Sequence, residues 1–219
     1  MLGEVLSTVA VTERGLMGDR IFAVLDEAGA VGSAKHPRKW GPLLSCRSRM
    51  AENGVVQVEL PDGTVWQAGA EDLDEHLSEL LSRRVSVSDV PPEQGSLERA
   101  VPEYEGGVPE AARERAFVDE TGDTITSGGV APGTFFDFGM VHLVTTPSLD
   151  HLRSVNPAED FDASRFRPNL VIDVPGGPGF PEDAWQVPVF DLGRLSCVGV
   201  YLDVLEPGEI KVGDVVVGR

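Results

Sequence analysis

The chain has 219 residues, of which 41% are hydrophobic and 25% are charged, proportions typical of a globular protein. Its 36 acidic and 18 basic residues give a formal net charge of −18, which excludes the broad basic surface that nucleic acid requires. No apolar run approaches the roughly 20 residues of a membrane helix, and the N-terminus lacks the pattern of a signal peptide. The sequence therefore predicts a cytoplasmic protein with neither nucleic acid nor membrane as a partner.

The first elements in chain order are short strands joined by tight turns. An apolar run at residues 21–25 is followed by turn residues, and residues 55–60 lead through a Pro-Asp-Gly turn into residues 64–66, which predicts a β-hairpin. Residues 71–84 differ, because leucines recur there at helical spacing. Acidic residues at the start of this segment and two arginines at its end match a helix dipole, so we predict a helix.

The middle of the chain contains a segment without periodicity. Residues 91–110 are rich in proline, glycine and glutamate, which predicts a linker or mobile loop. Beyond it, apolar runs at residues 141–146 and 169–174 predict two strands, and residues 147–154 between them predict a short helix with proline near its start.

Two apolar runs end the chain. Residues 198–205 and 210–217 flank a Pro-Gly turn and predict a β-hairpin. The fold class expected from all these elements is mainly β with a few short helices. The expected domains are residues 1–90 and residues 111–219, joined by the linker at 91–110.

A basic run stands out against the acidic composition. It comprises residues 35–39 (KHPRK) and lies directly before Trp40. Because like charges repel, a concentration of positive charge in a protein of net charge −18 indicates an anionic partner.

A second basic segment, residues 165–169 (RFRPN), precedes the strand predicted at residues 169–174. Arginine presents a rigid fork of donors to phosphate or carboxylate, and the amide of Asn169 both donates and accepts. The alternative is that these arginines only pair with Asp160 and Asp162. The local chemistry favours neither interpretation over the other.

The remaining candidate functional residues have hydroxyl, imidazole or thiol side chains. Thr145 and Thr146 lie at a strand-to-helix junction, where they either contact an anion or cap the helix. His142 alternates with apolar residues, so it is a base, a ligand or, as we interpret it, a hydrogen-bonded core histidine. Cys46 and Cys197 show no spacing typical of metal ligands, which predicts two buried thiols.

Several of these segments, taken in order, resemble the MOSC family. This family includes the C-terminal domain of molybdenum-cofactor sulfurase and the amidoxime-reducing component. The most specific pieces are RFRPN before a strand and GEIKVGD near the end of the sequence. The matching segments are residues 15–25, 33–40, 113–123, 133–149, 165–172 and 198–215.

The resemblance implies an N-terminal MOSC β-barrel domain followed by a MOSC β-barrel domain. It implies binding of a molybdenum–pterin cofactor and oxidoreductase activity on a small-molecule substrate, with an electron-donor protein as partner. The family is also associated with sulfur carriage and with pyridoxal phosphate. By motif position, the cofactor-binding roles fall on Ser33, Lys35, Thr145, Thr146, Arg167 and Asn169.

Two features of the family have no counterpart in the sequence. Relatives carry a Lys-Ser pair after a first strand, and this sequence starts at Met1, after that point. Relatives also carry an Arg-Cys segment whose cysteine ligates molybdenum or carries sulfur, and residues 185–197 do not contain one. The metal ligand is therefore unassigned, and the catalytic candidates are Cys197 and His142. The alternatives are a sulfur carrier that uses Cys46 or Cys197, and a cofactor-free member that binds another anion or a partner protein.

Overall fold

The computed structural model describes residues 1–102, 110–137, 139–175, 186–188, 194–196 and 198–217. The chain forms two compact units, each built from segments that are distant in sequence. Unit 1 comprises Met1–Glu4 and Arg20–Phe138, and unit 2 comprises Val5–Asp19 and Gly139–Arg219. These units interleave along the chain, unlike the continuous domains expected at residues 1–90 and 111–219, and those boundaries stay a prediction.

Most elements are short strands, and a few short helices lie between them. In chain order they are β1 (Thr8–Thr12), β2 (Gly15–Leu16), β3 (Ala23–Asp26), α1 (Pro37–Trp40), a 3₁₀ helix (Gly41–Ser45), β4 (Arg47–Met50), β5 (Val56–Glu59), β6 (Val65–Gln67), α2 (Glu71–Leu81), β7 (Val85–Ser88), β8 (Ser96–Ala100), α3 (Glu110–Arg113), β9 (Phe117–Val118), β10 (Thr124–Gly129), β11 (Val141–Thr145), α4 (Thr146–Val155), a second 3₁₀ helix (Ala163–Arg165), β12 (Leu170–Ile172), β13 (Gln186–Pro188), β14 (Arg194–Ser196), β15 (Gly199–Leu202) and β16 (Gly208–Lys211).

The described residues of unit 1 form three small antiparallel sheets. Strand β3 pairs with β7, β5 lies between β4 and β6, and β10 lies between β8 and β9. The predicted hairpin is confirmed, because β5 and β6 pair with Val58 opposite Trp66. Part of the segment predicted as a linker forms β8, since Leu97 is buried there and the strand pairs with β10. Residues 103–109 of that segment lie outside the described residues.

Helix α2 confirms the helical leucine pattern and supplies much of the core of unit 1. Leu73, Leu77 and Leu81 recur at four-residue spacing and are buried against a cluster that includes Trp40. Full burial of a leucine side chain stabilises a fold by about 1.5–3 kcal/mol. The helix ends before the predicted Arg84 because Ser82 adopts the left-handed conformation, with a φ of 53°.

In unit 2, too, the part of the chain that the structure describes forms three small sheets. Strand β1 lies between β16 and β2, β13 pairs with β14, and β11 lies parallel to β12 and antiparallel to β15. The hairpin predicted for residues 198–217 is wrong, because β15 pairs with β11 and β16 pairs with β1. The helix predicted after β11 is confirmed as α4.

The structure therefore confirms the mainly β fold class. Among the described residues the sheets have two or three strands each, and none of them closes into a barrel. The barrels that the family resemblance implies stay a prediction. No helix in the described part of the chain is both long and apolar enough to cross a bilayer.

Candidate anion-binding site

Within the basic run, Lys39 is the lysine that points into the core of unit 1. It lies in helix α1, and its Nζ donates to Asp26 Oδ2 at 2.7 Å and to Glu98 Oε2 at 2.9 Å. Burial alone would lower the pKa of Lys39, but the hydrogen bonds and negative charges of Asp26 and Glu98 outweigh it and raise that pKa. Lys39 is therefore a paired core charge and is closed to a ligand.

His36 and Arg38 are also matched by acidic residues of unit 1. The His36 ring is fully buried, with Nδ1 3.4 Å from Glu98 Oε2 and Nε2 3.4 Å from Asp119 Oδ2. Arg38 is exposed, and its Nε lies 3.1 Å from Asp123 Oδ1. These two basic side chains therefore join helix α1 to the turn that contains both aspartates.

Lys35 is the lysine of the basic run that faces solvent. Its side chain is 42% exposed, and its Nζ donates to Asp137, whose side chain is only 10% exposed. Ser33 positions the backbone here, because its Oγ accepts from the Lys35 N–H at 3.2 Å. Arg99, on strand β8, places its Nη2 3.7 Å from Asp137 Oδ2. Asp137 thus has two basic neighbours from different parts of unit 1.

Arg20 is the third basic residue near Asp137. Its guanidinium carbon lies 5.0 Å from the centre of the buried Phe136 ring, which is a cation–π distance. Its backbone φ of 50° is in the left-handed region, which residues other than glycine rarely adopt. We refer to Arg20, Lys35 and Arg99 as the basic cluster.

The pKa of Asp137 reflects this positive surrounding. Burial alone would raise the pKa of its carboxyl group. The hydrogen bond from Lys35 and the charges of Lys35, Arg20 and Arg99 outweigh burial and hold the pKa below its ordinary value. Asp137 is therefore ionised at neutral pH, and one negative charge faces three positive charges.

Two nitrogen atoms of the basic cluster are buried and unmatched. Arg20 Nη1 and Arg99 Nε have no hydrogen-bond partner in the described part of the chain. A buried donor without a partner costs about 1–3 kcal/mol, and such atoms are rare in native proteins. The oxygen atoms of an anion are acceptors of the kind that both donors lack, and the positive charge of these residues suits the anionic end of a phosphate-bearing molecule.

The two predicted threonines lie in unit 2 and serve mainly structural roles. Thr145 is buried and caps helix α4, since its Oγ1 accepts from the Ser148 N–H at 3.4 Å and lies 3.0 Å from Ser148 Oγ. Thr146 donates its hydroxyl hydrogen to Asp173 Oδ1 at 2.7 Å. The capping interpretation of Thr145 therefore describes the structure.

Asn169 and Arg167, also in unit 2, differ from each other in accessibility. The Asn169 side chain accepts from the His142 N–H at 2.8 Å and donates to Asp19 Oδ2 at 2.9 Å, so its amide bridges two segments of unit 2. Arg167 is exposed, and its backbone φ is 50°. Arg167 is thus the more exposed of the two residues, and Asn169 is partly buried.

His142 and the two cysteines are the candidates for catalysis or sulfur carriage. His142 is half-buried, with its ring centre 5.1 Å from that of Tyr201. A Cβ at Gly199 would lie 2.5 Å from His142 Nε2, so glycine is required for this packing. Cys46 is fully buried, as predicted, and burial raises the pKa of its thiol. Cys197 lies outside the described residues.

Sequence patterns alone did not identify three members of this site. Arg20 and Asp137 lie in segments that carry the family resemblance, residues 15–25 and 133–149, but neither had a predicted binding role, and Arg99 lies in the predicted linker. The available signal was an arginine directly after a Gly-Asp turn and before an apolar strand. Ser33 and Lys35 are the two predicted residues that lie at the basic cluster.

The ligand of this site is identified neither by a set of metal-ligating side chains among the described residues nor by a related protein. In the described ranges no group of three or more His, Cys, Asp or Glu side chains is arranged to hold a metal ion. Comparisons with protein-family models, with curated proteins and with solved structures found no match.

Proposed function

We propose that this protein binds a phosphate-bearing molecule of the molybdenum–pterin type, with its anionic end at the basic cluster of Arg20, Lys35 and Arg99. The observation that carries this proposal is the pair of buried, unmatched donors, Arg20 Nη1 and Arg99 Nε. The proposal includes the two MOSC-type β-barrel domains that the resemblance implies.

The charge balance supports an anionic ligand at this place. The protein as a whole has a net charge of −18, and most basic side chains of the run are matched by carboxylates. At the basic cluster the positive charges of Lys35, Arg20 and Arg99 all act on the carboxylate of Asp137. A hydrogen bond between charged groups contributes about 1.5–3 kcal/mol, so three such contacts contribute about 4.5–9 kcal/mol, which spans millimolar to micromolar dissociation constants before the cost of association is subtracted.

The basic cluster suits only the anionic end of a molybdenum–pterin cofactor. A bound molybdenum–pterin cofactor supplies oxidation–reduction chemistry at its metal. In this chain the two arginines would bind the anionic end through planar N–H forks, and Lys35 would add a point charge from the solvent side. The described residues offer no accessible thiolate for molybdenum, because Cys46 is buried and its pKa is raised. Oxidoreductase activity on a small substrate, with an electron-donor protein, therefore rests on the family resemblance.

The alternatives differ in how they use the same residues. A cofactor-free member would bind another anion through the same basic cluster. A sulfur carrier that used Cys46 would require that thiol to reach solvent, and the fully buried position of Cys46 argues against it. We therefore favour anion binding over sulfur carriage through Cys46, while Cys197, the other candidate for sulfur carriage, lies outside the described residues.

The test is the cofactor content of freshly purified protein. Molybdenum is measured by mass spectrometry, and bound pterin is measured by its fluorescence after acid oxidation. We expect about one pterin per chain in the wild type after cofactor loading, and a loss of at least about tenfold in Arg99→Ala.

Arg84→Ala is the matched control, because Arg84 belongs to unit 1 and its side chain is 83% exposed. This variant should retain the wild-type pterin content. Wild-type protein that binds no pterin after loading, or Arg99→Ala protein that retains all of it, would contradict the proposal.

A further inference from the structure

His36 is a fully buried histidine with oxygen atoms on both sides of its ring. Its Nδ1 lies 3.4 Å from Oε2 of Glu98, on strand β8, and its Nε2 lies 3.3 Å from Oγ1 of Thr121, in the turn between β9 and β10. The Oδ2 atoms of Asp119 and Asp123, from the same turn, lie 3.4 Å and 3.6 Å from Nε2. Both ring nitrogens therefore face oxygen atoms, and three of these atoms belong to carboxylates.

The hydrogen bonds of the neighbouring residues determine where the His36 ring carries hydrogen. The Thr121 hydroxyl donates its single hydrogen to Asp119 Oδ1, 2.7 Å away, so its oxygen can only accept from Nε2. Glu98 accepts from Lys39 Nζ at 2.9 Å as a carboxylate, so its Oε2 can only accept from Nδ1. Each ring nitrogen then requires a hydrogen. A neutral imidazole has only one, so the contacts require the imidazolium form.

The carboxylate of Asp119 favours the same form of the ring. Burial alone would raise the pKa of Asp119, but the hydrogen bonds that it accepts from Thr121 and Asp123 outweigh burial and hold that pKa below its ordinary value. Asp119 is therefore ionised at neutral pH, and its buried Oδ2 has no hydrogen-bond partner in the described part of the chain. A positive ring 3.4 Å from that oxygen offsets part of the cost of burying its charge.

Helix α1, which begins directly after His36, supplies two further positive charges near the ring. Lys39 Nζ donates to Glu98 Oε2, and Arg38 Nε lies 3.1 Å from Asp123 Oδ1. These two positive charges do not balance the three carboxylates that face the ring. The imidazolium of His36 supplies the third positive charge.

The contact between His36 and Glu98 lies directly beside two members of the basic cluster. Lys35 precedes His36 in the chain, and Arg99 follows Glu98. The carbonyl oxygen of Lys35 also accepts from the Ala100 N–H at 2.8 Å. Contacts at the residues on both sides of Arg99 therefore hold the segment that carries Lys35 against strand β8.

We propose that His36 is a positioning residue that holds Lys35 and Arg99 in place for an anion only while both of its ring nitrogens carry hydrogen. This inference rests on the proposed function, because it concerns regulation of the same basic cluster. Loss of either hydrogen would place a ring lone pair against an oxygen lone pair, of Glu98 at Nδ1 or of Thr121 at Nε2. The attachment of Lys35 to β8 is then weaker, so anion binding should weaken as the pH rises.

Inorganic sulfate is the probe, because its double charge does not change between about pH 5 and about pH 9, where lysine and arginine also stay positive. Calorimetric titration of the wild type at constant ionic strength should show an affinity that falls at least about tenfold over this range. The midpoint of the fall should coincide with the pH at which the ¹⁵N spectrum of the His36 ring changes from two N–H groups to one.

Two variants complete the experiment. His36→Asn removes the titrating ring, so it should bind sulfate weakly at every pH, with a flat profile. His76→Asn is the matched control, because His76 is a histidine of unit 1 in helix α2 whose ring contacts Trp66. It should keep the wild-type affinity and the wild-type pH profile.

Three results would overturn the positioning role of His36. They are a ring with a single N–H group at about pH 6, a sulfate affinity that stays constant while the ring changes form, and a wild-type profile in folded His36→Asn. The first two are measured on the wild type, so they decide the question even if His36→Asn does not fold. Failure of the wild type to bind sulfate at any pH would instead refute the basic cluster as an anion site, and with it the proposed function.

Discussion

Arg99 Nη2 lies 3.7 Å from Asp137 Oδ2, while Arg99 Nε is buried without a hydrogen-bond partner in the described part of the chain. One side of this guanidinium group is thus matched by a carboxylate and the other side is not. Lys39, in the same unit, contrasts with it, since both Asp26 and Glu98 accept hydrogen bonds from its ammonium group. Arg20 and Arg99 thus keep unmatched donors, whereas the ammonium group of Lys39 is paired with two carboxylates.

The first prediction concerns the buried charge of Lys39. Lys39→Ala should lower the free energy of unfolding by about 3–5 kcal/mol, because it leaves Asp26 and Glu98 near the core without their counter-charge. Urea denaturation measures this change. Arg84→Ala, which removes an exposed charge of the same unit, should change it by less than about 1 kcal/mol. Equal effects of the two variants would show that the Lys39 pairs are not needed for stability.

The second prediction separates binding from stability at Arg20. Arg20→Gly should leave the free energy of unfolding within about 1 kcal/mol of wild type, because relief of the left-handed backbone offsets the lost contact with Phe136. Affinity for phenyl phosphate should fall at least about tenfold. Ser82→Gly, at a φ of 53°, is the matched control and should stabilise the fold without an effect on binding. Equal phenyl phosphate affinity in Arg20→Gly and wild type would remove Arg20 from the site.

The third prediction is a pH dependence due to Asp137. Its pKa in the folded state lies below the ordinary value of 3.8, so the ionised carboxylate stabilises the fold above that pH. This contribution should disappear as the pH falls through the folded-state pKa. The difference in free energy of unfolding between wild type and Asp137→Asn should therefore shrink as the pH falls below 3.8. A difference that grows as the solution becomes more acidic would contradict the stabilising role of the ionised form.

The fourth prediction concerns the reactivity of Cys46. Its thiol is fully buried and its pKa is raised by that burial, so iodoacetamide should not modify it in the folded protein. The same peptide should be fully alkylated after denaturation in urea, as peptide mass spectrometry would show. Modification of native Cys46 at the rate of a small free thiol would restore the sulfur-carrier alternative.

Local patterns predicted the elements that depend on neighbouring residues. The β5–β6 hairpin has its turn residues between its strands, and helix α2 has its leucines on one face. The pairing of β16 with β1 could not be predicted in this way, because local turn chemistry indicates strands but not their partners. For the same reason, the last two apolar runs were expected to pair with each other.

The candidate site was predictable only in part for a similar reason. The basic run correctly indicated that positive charge is concentrated near Lys35, yet its other basic side chains are matched by acids from distant parts of unit 1. Arg99 and Asp137 become neighbours only through the folding of unit 1. A charge pattern along the sequence does not reveal which charges the fold will neutralise.

The most direct test of the central claim is the ³¹P spectrum of phenyl phosphate titrated with wild-type protein, Arg99→Ala and Arg84→Ala at equal concentrations. We expect wild type and Arg84→Ala to shift and broaden the resonance equally, whereas Arg99→Ala should require at least about ten times more protein for the same effect. Identical titrations for all three proteins would contradict binding of the anion at the basic cluster.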